Sequence, residues 1–198
     1  VPMLVSSKHY GIFWDNYSIT KAGDTRSYLP LSKMQLYSPA DEAGWLTASY
    51  YSDKSKDEVS IQRAESEINM EFLTDSKIKL PADFNVSNGK VVWRGAIASD
   101  VEGTYKLRFL YGGYLKVWID DQLVLDRWRQ CWNPGSAIID CVMKKNLKHQ
   151  LKMEWIPDGG ESYIGVKWLP PVEREYKNSF GFESEAGQCQ DYYFIYGN

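Results

Sequence analysis

The sequence predicts an all-β protein, an antiparallel β-sandwich or barrel, on three observations. In several short segments apolar residues alternate with polar ones, which is the period of a half-buried strand. Residues that favour turns, such as Gly, Pro and Asp, separate these segments at intervals of roughly ten residues. No long segment has the 3.6-residue period of an amphipathic helix.

The clearest strands lie near the middle of the chain. Apolar and basic residues alternate over residues 105–109, and we expect Gly112-Gly113 to end this strand in a turn. A second alternating run covers residues 115–119. The pair Asp120-Asp121 then predicts a hairpin turn into a returning strand at residues 123–125, because Asp favours such positions.

A second hairpin is predicted further along the chain. Residues 151–155 alternate, the sequence Pro-Asp-Gly-Gly at 157–160 favours a turn, and residues 163–168 form the partner strand. The polar stretch at residues 53–67 fits neither the helical nor the strand period. A loop, a short helix and an edge strand all remain open for it.

Composition excludes two classes of partner. The formal net charge is −3 and the Lys and Arg residues are scattered, so the chain lacks the basic stripe that binds a phosphate backbone. No stretch approaches the roughly 18 consecutive apolar residues of a membrane span. We therefore expect neither nucleic acid nor a membrane span among its interactions.

The three cysteines do not predict a metal site. Their number is odd and none form a Cys-x-x-Cys pair, so a zinc site is not expected, and we predict no cofactor. Cys131 and Cys141 either pair across neighbouring strands or remain buried free thiols.

Breaks in composition divide the chain into three segments. The first covers residues 1–40, the second covers residues 41–171 and closes at Pro170-Pro171, and the third covers residues 172–198. Neither short flank can form a core alone. We expect the flanks to pair with each other or with a missing sandwich, the pattern of a domain inserted into a loop of a longer protein.

Five motifs follow one another in the central segment. They are Gly-Trp-Leu-Thr-Ala-Ser-Tyr-Tyr at 44–51, Val-Trp-Arg-Gly-Ala-Ile at 92–97, Gly-Thr-Tyr-Lys-Leu at 103–107, the run at 115–128 and Ile-Gly-Val-Lys-Trp at 164–168. In content and order they resemble the PA14 (PA-fourteen, protective-antigen-like) family of antiparallel β-sandwich domains, and the resemblance implies its fold.

In the flanks, residues 2–18 and 183–197 resemble the N-terminal sandwich of glycoside hydrolase family 31. This resemblance implies a parent enzyme that is a retaining α-glycosidase. It is most like an α-xylosidase acting on xyloglucan oligosaccharides, with an α-glucosidase as the alternative. It also implies a periplasmic or extracellular bacterial location.

The chain itself is not expected to be an enzyme. Retaining glycosidases need two carboxylates about 5 Å apart, and in family 31 both lie on a barrel that this sequence does not reach. Turn formation explains Asp120-Asp121. The only histidines, His9 and His149, lie in no recognisable nucleophile context.

Aromatic residues suggest where a sugar would bind. Many PA14 domains carry Ser-Asp-Asp-Gly where this chain has Tyr111 and Tyr114 around the Gly-Gly pair, which disfavours a calcium-dependent lectin. Trp128 and Trp132 follow in a segment of loop composition, although Trp128 is open to a second interpretation as a core residue. Flanking Arg, Gln and Asn side chains can bind hydroxyls. The predicted carbohydrate-binding residues are Trp132, Trp128, Tyr111, Tyr114, Arg127 and Asn133.

These observations predict a non-catalytic accessory domain that shapes or extends the substrate cleft of its parent enzyme. Its partner would be an oligosaccharide shared with the catalytic domain, and a homo-oligomer is possible. Two alternatives stay open. One is a structural spacer or dimerisation module of an α-glucosidase-type enzyme, and the other is a calcium-dependent glycan-binding lectin.

Overall fold

The computed structural model describes residues 3–15, 20–172, 181–184 and 191–196. These residues contain a short 3-10 helix (Leu31–Lys33), one α-helix, α1 (Leu73–Lys79), and fifteen strands. In chain order the strands are β1 (Met3–Ser6), β2 (Tyr10–Asp15), β3 (Thr20–Gly23), β4 (Leu29–Pro30), β5 (Gln35–Tyr37), β6 (Leu46–Tyr51), β7 (Ile61–Glu65), β8 (Asn69–Met70), β9 (Lys90–Ala98), β10 (Gly103–Ile119), β11 (Gln122–Met143), β12 (His149–Ile156), β13 (Ile164–Leu169), β14 (Gly181–Ser184) and β15 (Asp191–Tyr196). The all-β prediction is confirmed.

The strands form two compact units. The smaller unit contains Val1–Ser27 and Glu173–Asn198. In it β2 lies between β1 and β15, and β3 pairs with β14, with every pairing antiparallel. The two flanks therefore pair with each other, which is one of the two arrangements expected for them.

The larger unit, Tyr28–Val172, is built on one long curled sheet in the order β4-β13-β10-β12-β9-β6-β7. The 17-residue strand β10 pairs with β13 through its first half and with β12 through its second half. Strand β11 pairs with β10 along nearly its whole length. One long strand thus joins the part of the sheet that contains β13 and β4 to the part that contains β12, β9, β6 and β7. The apolar side chains fill the space that the curled sheet encloses.

Two buried tryptophans mark the centre of this core. Trp93 and Trp155 are fully buried, with ring centroids 6.4 Å apart. Each indole N–H has an acceptor, Glu65 Oε2 at 2.7 Å for Trp93 and the Gly112 carbonyl at 2.6 Å for Trp155. A buried N–H without an acceptor would cost about 1–3 kcal/mol, so these bonds keep the large rings compatible with burial.

The larger unit begins earlier than the composition break at residue 40 suggested. Strand β4 pairs with β13 and β5 pairs with β9, while Leu31 and Leu36 lie in the core. These apolar side chains bind residues 28–40 to the central sheet rather than to the flank. In the open stretch at 53–67, residues 61–65 form the strand β7, which pairs with β6 alone.

The Asp120-Asp121 hairpin turn is confirmed, with φ of 49° and 63° at the two positions. Two successive positive φ values are the geometry of the hairpin turn whose twist matches its flanking strands. The predicted turn at Gly112-Gly113 is wrong, because both glycines lie inside the continuous strand β10.

Cys141 is a buried free cysteine. It lies on the same strand as Cys131, so the alternative in which these two residues pair across neighbouring strands does not hold. Cys189 and the side chain of Cys131 lie outside the described residues.

Candidate functional site

A large bulge interrupts β11 opposite the middle of β10. The register between β10 and β11 shifts between Tyr111 and Gly113. Pairing of β11 stops at Gln130 and resumes at Gly135, so the residues between them face a single residue of β10. Trp132 lies within this bulge with φ of 72°, and its side chain is 81% exposed.

The two glycines of β10 allow the chain to pass close to its neighbours at this point. A Cβ atom on Gly113, where φ is 84°, would lie 2.2 Å from the Ile156 carbonyl oxygen. A Cβ atom on Gly112 would lie 2.4 Å from the Glu161 carbonyl oxygen. The Gly-Gly pair is thus required by close backbone contact rather than by a turn.

The bulge borders a cavity of about 660 Å³. Its walls come from α1, from the connection between β12 and β13, and from β11. Side chains that line it include Trp132, Arg129, Leu73, Val86, Lys77 and Glu161. The main chain of Gly159 and Gly160 forms part of the same wall. The cavity therefore combines an aromatic surface and aliphatic side chains with charged groups and accessible peptide groups.

An ion-pair network fixes one side of this cavity. Asp158 Oδ2 lies 2.9 Å from Arg129 Nε, and Asp158 Oδ1 accepts a hydrogen bond of 2.6 Å from Lys54 Nζ. Arg129 Nη2 also donates to the Asp158 main-chain oxygen at 3.4 Å. The Lys54 hydrogen bond, together with the positive charges of Lys54 and Arg129, lowers the pKa of Asp158. The carboxylate therefore stays ionised and holds the guanidinium in place.

The remaining polar side chains of the cavity supply both donors and acceptors. Lys77 and Ser76 come from α1, whereas Glu161 and Ser162 follow the turn after β12. Glu161 accepts a hydrogen bond from the Tyr163 hydroxyl at 3.4 Å. Donors and acceptors beside one exposed aromatic face are what a ring bearing several hydroxyls and an apolar C–H face requires.

Trp128 lies on the opposite side of β11 from this cavity. Side chains alternate along a strand, and its neighbour Arg129 is the one that faces the cavity. Trp128 is 82% exposed, which rules out its interpretation as a core residue. Its ring meets that of Tyr114 edge-on, with centroids 5.5 Å apart and an interplanar angle of 74°.

The prediction that Tyr111 offers an exposed ring is wrong. Its side chain is only 7% exposed and belongs to the core. Its ring lies over Gly135 on β11, where an added Cβ atom would be 2.7 Å from the ring. The missing side chain at Gly135 therefore makes room for Tyr111 inside the sandwich.

The last two predicted residues lie at the surface. Arg127 is exposed and pairs with Leu115 in the ladder. Asn133 is an exposed residue of the bulge, and its carbonyl accepts a hydrogen bond of 3.0 Å from Gln130 Nε2, which ties the two ends of the bulge together.

Sequence reasoning did not find the α1 side of the cavity. A seven-residue helix is too short to show a helical period, and none of its residues is buried. The role of Asp158 was hidden as well, because Asp in a Pro-Asp-Gly-Gly turn has a sufficient local explanation. The signal available for this region was the concentration of turn residues at 157–160.

Other chemistry has little support among the described residues. No group of three or more His, Cys, Asp or Glu side chains converges there to hold a metal ion. Asp120 belongs to the adjacent carboxylate pair that was considered for catalysis. Its Oδ2 atom lies 2.7 Å from His149 Nδ1, and its Oδ1 atom accepts a hydrogen bond from the Gln150 amide. No helix in the described part of the chain is long and apolar enough to cross a membrane.

Fold and cavity together define a β-sandwich module with a cavity that an exposed tryptophan borders. The family model of the PA14 domain matches residues 41–180, and the chain belongs to this family.

Comparison with solved structures relates the whole chain to a glycosidase. It resembles the crystal structure of the GH31 alpha-xylosidase from Xanthomonas citri with a TM-score of 0.87 and 36% identity. That match covers 100% of this chain and 22% of the xylosidase.

Two further relatives are more distant. A β-glucosidase from Kluyveromyces marxianus matches with a TM-score of 0.60 and 15% identity, over 76% of this chain and 20% of the enzyme. The anti-sigma-I factor RsgI3 of Acetivibrio thermocellus is 23% identical over 130 residues, which are 66% of this chain and 20% of that protein. These two show a shared fold. The chain thus spans about a fifth of the length of each of these three relatives.

Proposed function

We propose that this chain is a non-catalytic accessory module of a larger α-glycosidase, in which it binds part of an oligosaccharide substrate. The similarity of the whole chain to one segment of a GH31 alpha-xylosidase supports this role. The reaction itself is assigned to the rest of such an enzyme, a retaining α-xylosidase or α-glucosidase. A substrate derived from an external polysaccharide would place the enzyme in the periplasm or outside the cell.

The observation that carries the proposal is the exposed ring of Trp132 at the border of the 660 Å³ cavity. A large apolar ring held in water has no stabilising role in the sandwich, yet it offers a flat surface to the C–H face of a sugar. Covering about 100 Å² of apolar surface would contribute about 2.5 kcal/mol. With a few hydrogen bonds added, this predicts a dissociation constant on the order of a millimolar or somewhat below.

The charges around the cavity favour a neutral ligand. Arg129 and Lys54 share the Asp158 carboxylate, and Lys77 and Glu161 line the cavity with opposite charges. The net charge of this group is small, so an anionic sugar would gain little attraction, whereas hydroxyls can use both the donors and the acceptors. We propose a neutral oligosaccharide of the xyloglucan type as the ligand, with a malto-oligosaccharide as the comparison ligand.

The experiment is a titration of the chain with short xyloglucan oligosaccharides, followed by tryptophan fluorescence. The key variant is Trp132→Ala, and Trp132→Phe tests whether an aromatic face suffices. Trp128→Ala is the matched control, since this tryptophan is equally exposed but lies on the other side of β11. Each titration is repeated with calcium and with EGTA.

We expect saturable quenching that is independent of calcium and at least tenfold weaker in Trp132→Ala. The Trp128→Ala variant should keep the affinity of the original chain, and Trp132→Phe should keep most of it. Binding that disappears in EGTA would instead identify a calcium-dependent lectin. Absence of saturable quenching at millimolar sugar would contradict the proposal and favour the structural spacer.

A further inference from the structure

The outer face of the sheet carries a second group of aromatic and polar side chains, of which those on β11 are exposed and those on β10 and β12 are half-buried. On β10, Tyr114, Lys116 and Trp118 point to this face, because the residues that alternate with them, Leu115 and Val117, are buried. The registers place Ile156, Glu154 and Lys152 of β12 beside these three in the same order. This set, together with Trp128, Asp126 and Leu123 of β11, is called the outer face below.

Aromatic rings occupy both ends of the outer face. At one end, Trp128 and Tyr114 pack edge to face, which leaves most of the Trp128 ring open to solvent. At the other end Trp118 is paired with Leu123 in the ladder and lies under the Lys152 ammonium group, 4.2 Å from the ring centroid. Tyr114 and Trp118 are four residues apart on one strand, a span of about 13 Å. Only a chain of several sugar rings would reach from one end to the other.

A row of charged residues crosses the middle of the outer face. Lys116 lies 3.4 Å from Asp126 on one side and pairs with Glu154 in the ladder on the other. The three side chains carry opposite charges in close proximity, so the face offers donors and acceptors without a strong field of one sign. The centre of a protein–protein interface is instead depleted of charged residues. The arrangement therefore suits a hydroxyl-rich ligand better than an apolar protein surface.

The outer face is separate from the Trp132 cavity. Arg129 lines the cavity, and Trp128, the residue before it, points to the other side of the strand. Neither Trp128 nor Tyr114 is among the residues that line the cavity. A ligand in the cavity would thus leave the outer face open, and a ligand on the outer face would leave the cavity open.

We propose that the outer face is a second carbohydrate-binding surface, which takes an extended neutral polysaccharide chain across Trp128, Tyr114 and Trp118. The outer face is an open sheet surface, whereas the Trp132 site is a cavity. A polymer can therefore lie along it without presenting a free end. This surface would keep the module on the polymer independently of whether the cavity holds an oligosaccharide.

The test is affinity electrophoresis of the chain through native gels that contain soluble polysaccharides. The probes are xyloglucan, hydroxyethylcellulose and galactomannan as neutral polymers, and polygalacturonate as the anionic comparison. The variants are Trp128→Ala and Tyr114→Ala on the outer face, and Trp132→Ala in the cavity. Because the Trp128 side chain is largely exposed, its removal should leave the fold intact, which circular dichroism checks.

We expect at least one neutral polymer to retard the chain, with retardation reduced at least fivefold in Trp128→Ala and unchanged in Trp132→Ala. This pattern differs from that of the cavity, where Trp132→Ala alone lowers affinity for short oligosaccharides, so each proposal can fail without the other. The outer-face proposal is overturned if no neutral polymer retards the chain, or if only polygalacturonate does. It is also overturned if Trp128→Ala abolishes self-association in sedimentation experiments while polymer binding is absent, because the face is then a protein contact.

Discussion

Asp158 holds the charged side of the cavity in place, and its replacement is the most informative perturbation of the site. The carboxylate contacts Lys54 at 2.6 Å and Arg129 at 2.9 Å. Replacing it by Ala removes both ion pairs, and Asn keeps the size of the side chain without its charge. We expect both variants to be less stable than the original chain and to bind the oligosaccharide more weakly.

The expected magnitude follows from the exposure of the three side chains. Asp158 is 26% exposed, and Lys54 and Arg129 are 36% and 35% exposed, so water screens both pairs in part. Each pair should then contribute about 1 kcal/mol, near the upper end for surface ion pairs. Asp158→Ala should lower the free energy of unfolding by about 2 kcal/mol and Asp158→Asn by about 1 kcal/mol. For a chain of this length the larger loss corresponds to a melting temperature lower by about 6 °C.

Urea unfolding followed by tryptophan fluorescence measures these differences. Asp126→Asn is the matched control, because its partner Lys116 lies 3.4 Å away and both side chains are about half exposed. We expect that control to change stability by less than about 0.5 kcal/mol. In the sugar titration Asp158→Asn should weaken binding about fivefold, since Arg129 loses the group that orients it.

The pH dependence supplies an independent check with a defined sign. The folded pKa of Asp158 is lowered, chiefly by its hydrogen bond from Lys54, below the ordinary carboxyl value of 3.8. Its stabilising contribution is therefore complete above pH 3.8 and is lost as the pH falls through the folded pKa. The stability difference between the original chain and Asp158→Asn should shrink over that range. Equal stability and equal sugar affinity of the two proteins at pH 7 would refute the assigned role.

Two other predictions concern the packing around the site. Gly113→Ala should lower the free energy of unfolding in urea by at least about 3 kcal/mol, because its Cβ would lie 2.2 Å from the Ile156 carbonyl oxygen at a φ of 84°. The matched control Gly44→Ala also has positive φ but meets nothing within 4 Å, so it should cost about 1 kcal/mol, and an equal loss in both variants would contradict the close-contact explanation. Burial, with a smaller effect of the Asp120 charge, raises the pKa of the Cys141 thiol to about 11, so iodoacetamide at pH 8 should leave Cys141 unmodified until urea is added. Peptide mapping by mass spectrometry checks this, and rapid alkylation of Cys141 in the folded protein would show that the thiol is accessible.

Much of the fold could be predicted from local patterns. Alternation identified the strands around residues 105–109 and 151–155, and the Asp120-Asp121 pair identified its hairpin. These features depend on neighbouring residues and on one buried face, which the sequence shows directly. Every second residue from Tyr105 to Phe109 points into the core, and Tyr111 is the next in this series. If the strand is continued through the glycines, the same alternation predicts that Tyr111 is buried.

The shape of the site depends on contacts between distant segments, which single-sequence patterns do not contain. A Gly-Gly pair is compatible with a turn and with close backbone contact, since both need a residue without a Cβ atom. The residues around Trp132 have the composition of a loop, but they form a bulge within a strand that is paired on both sides. The position at which pairing resumes depends on the hydrogen bonds to β10, which the local sequence does not show. The cavity unites residues of α1, β11 and the turn after β12, and only the tertiary structure brings these together.

The most direct test of oligosaccharide binding at the cavity is an NMR titration of the indole N–H signals. The chain has 8 tryptophans, and the signals of Trp132 and Trp128 can be assigned with the two Ala variants. With a short neutral oligosaccharide, we predict a saturable shift of the Trp132 signal while the Trp128 signal stays in place. No shift of the Trp132 signal at millimolar sugar, or a shift confined to Trp128, would contradict the assignment of the cavity as the binding site.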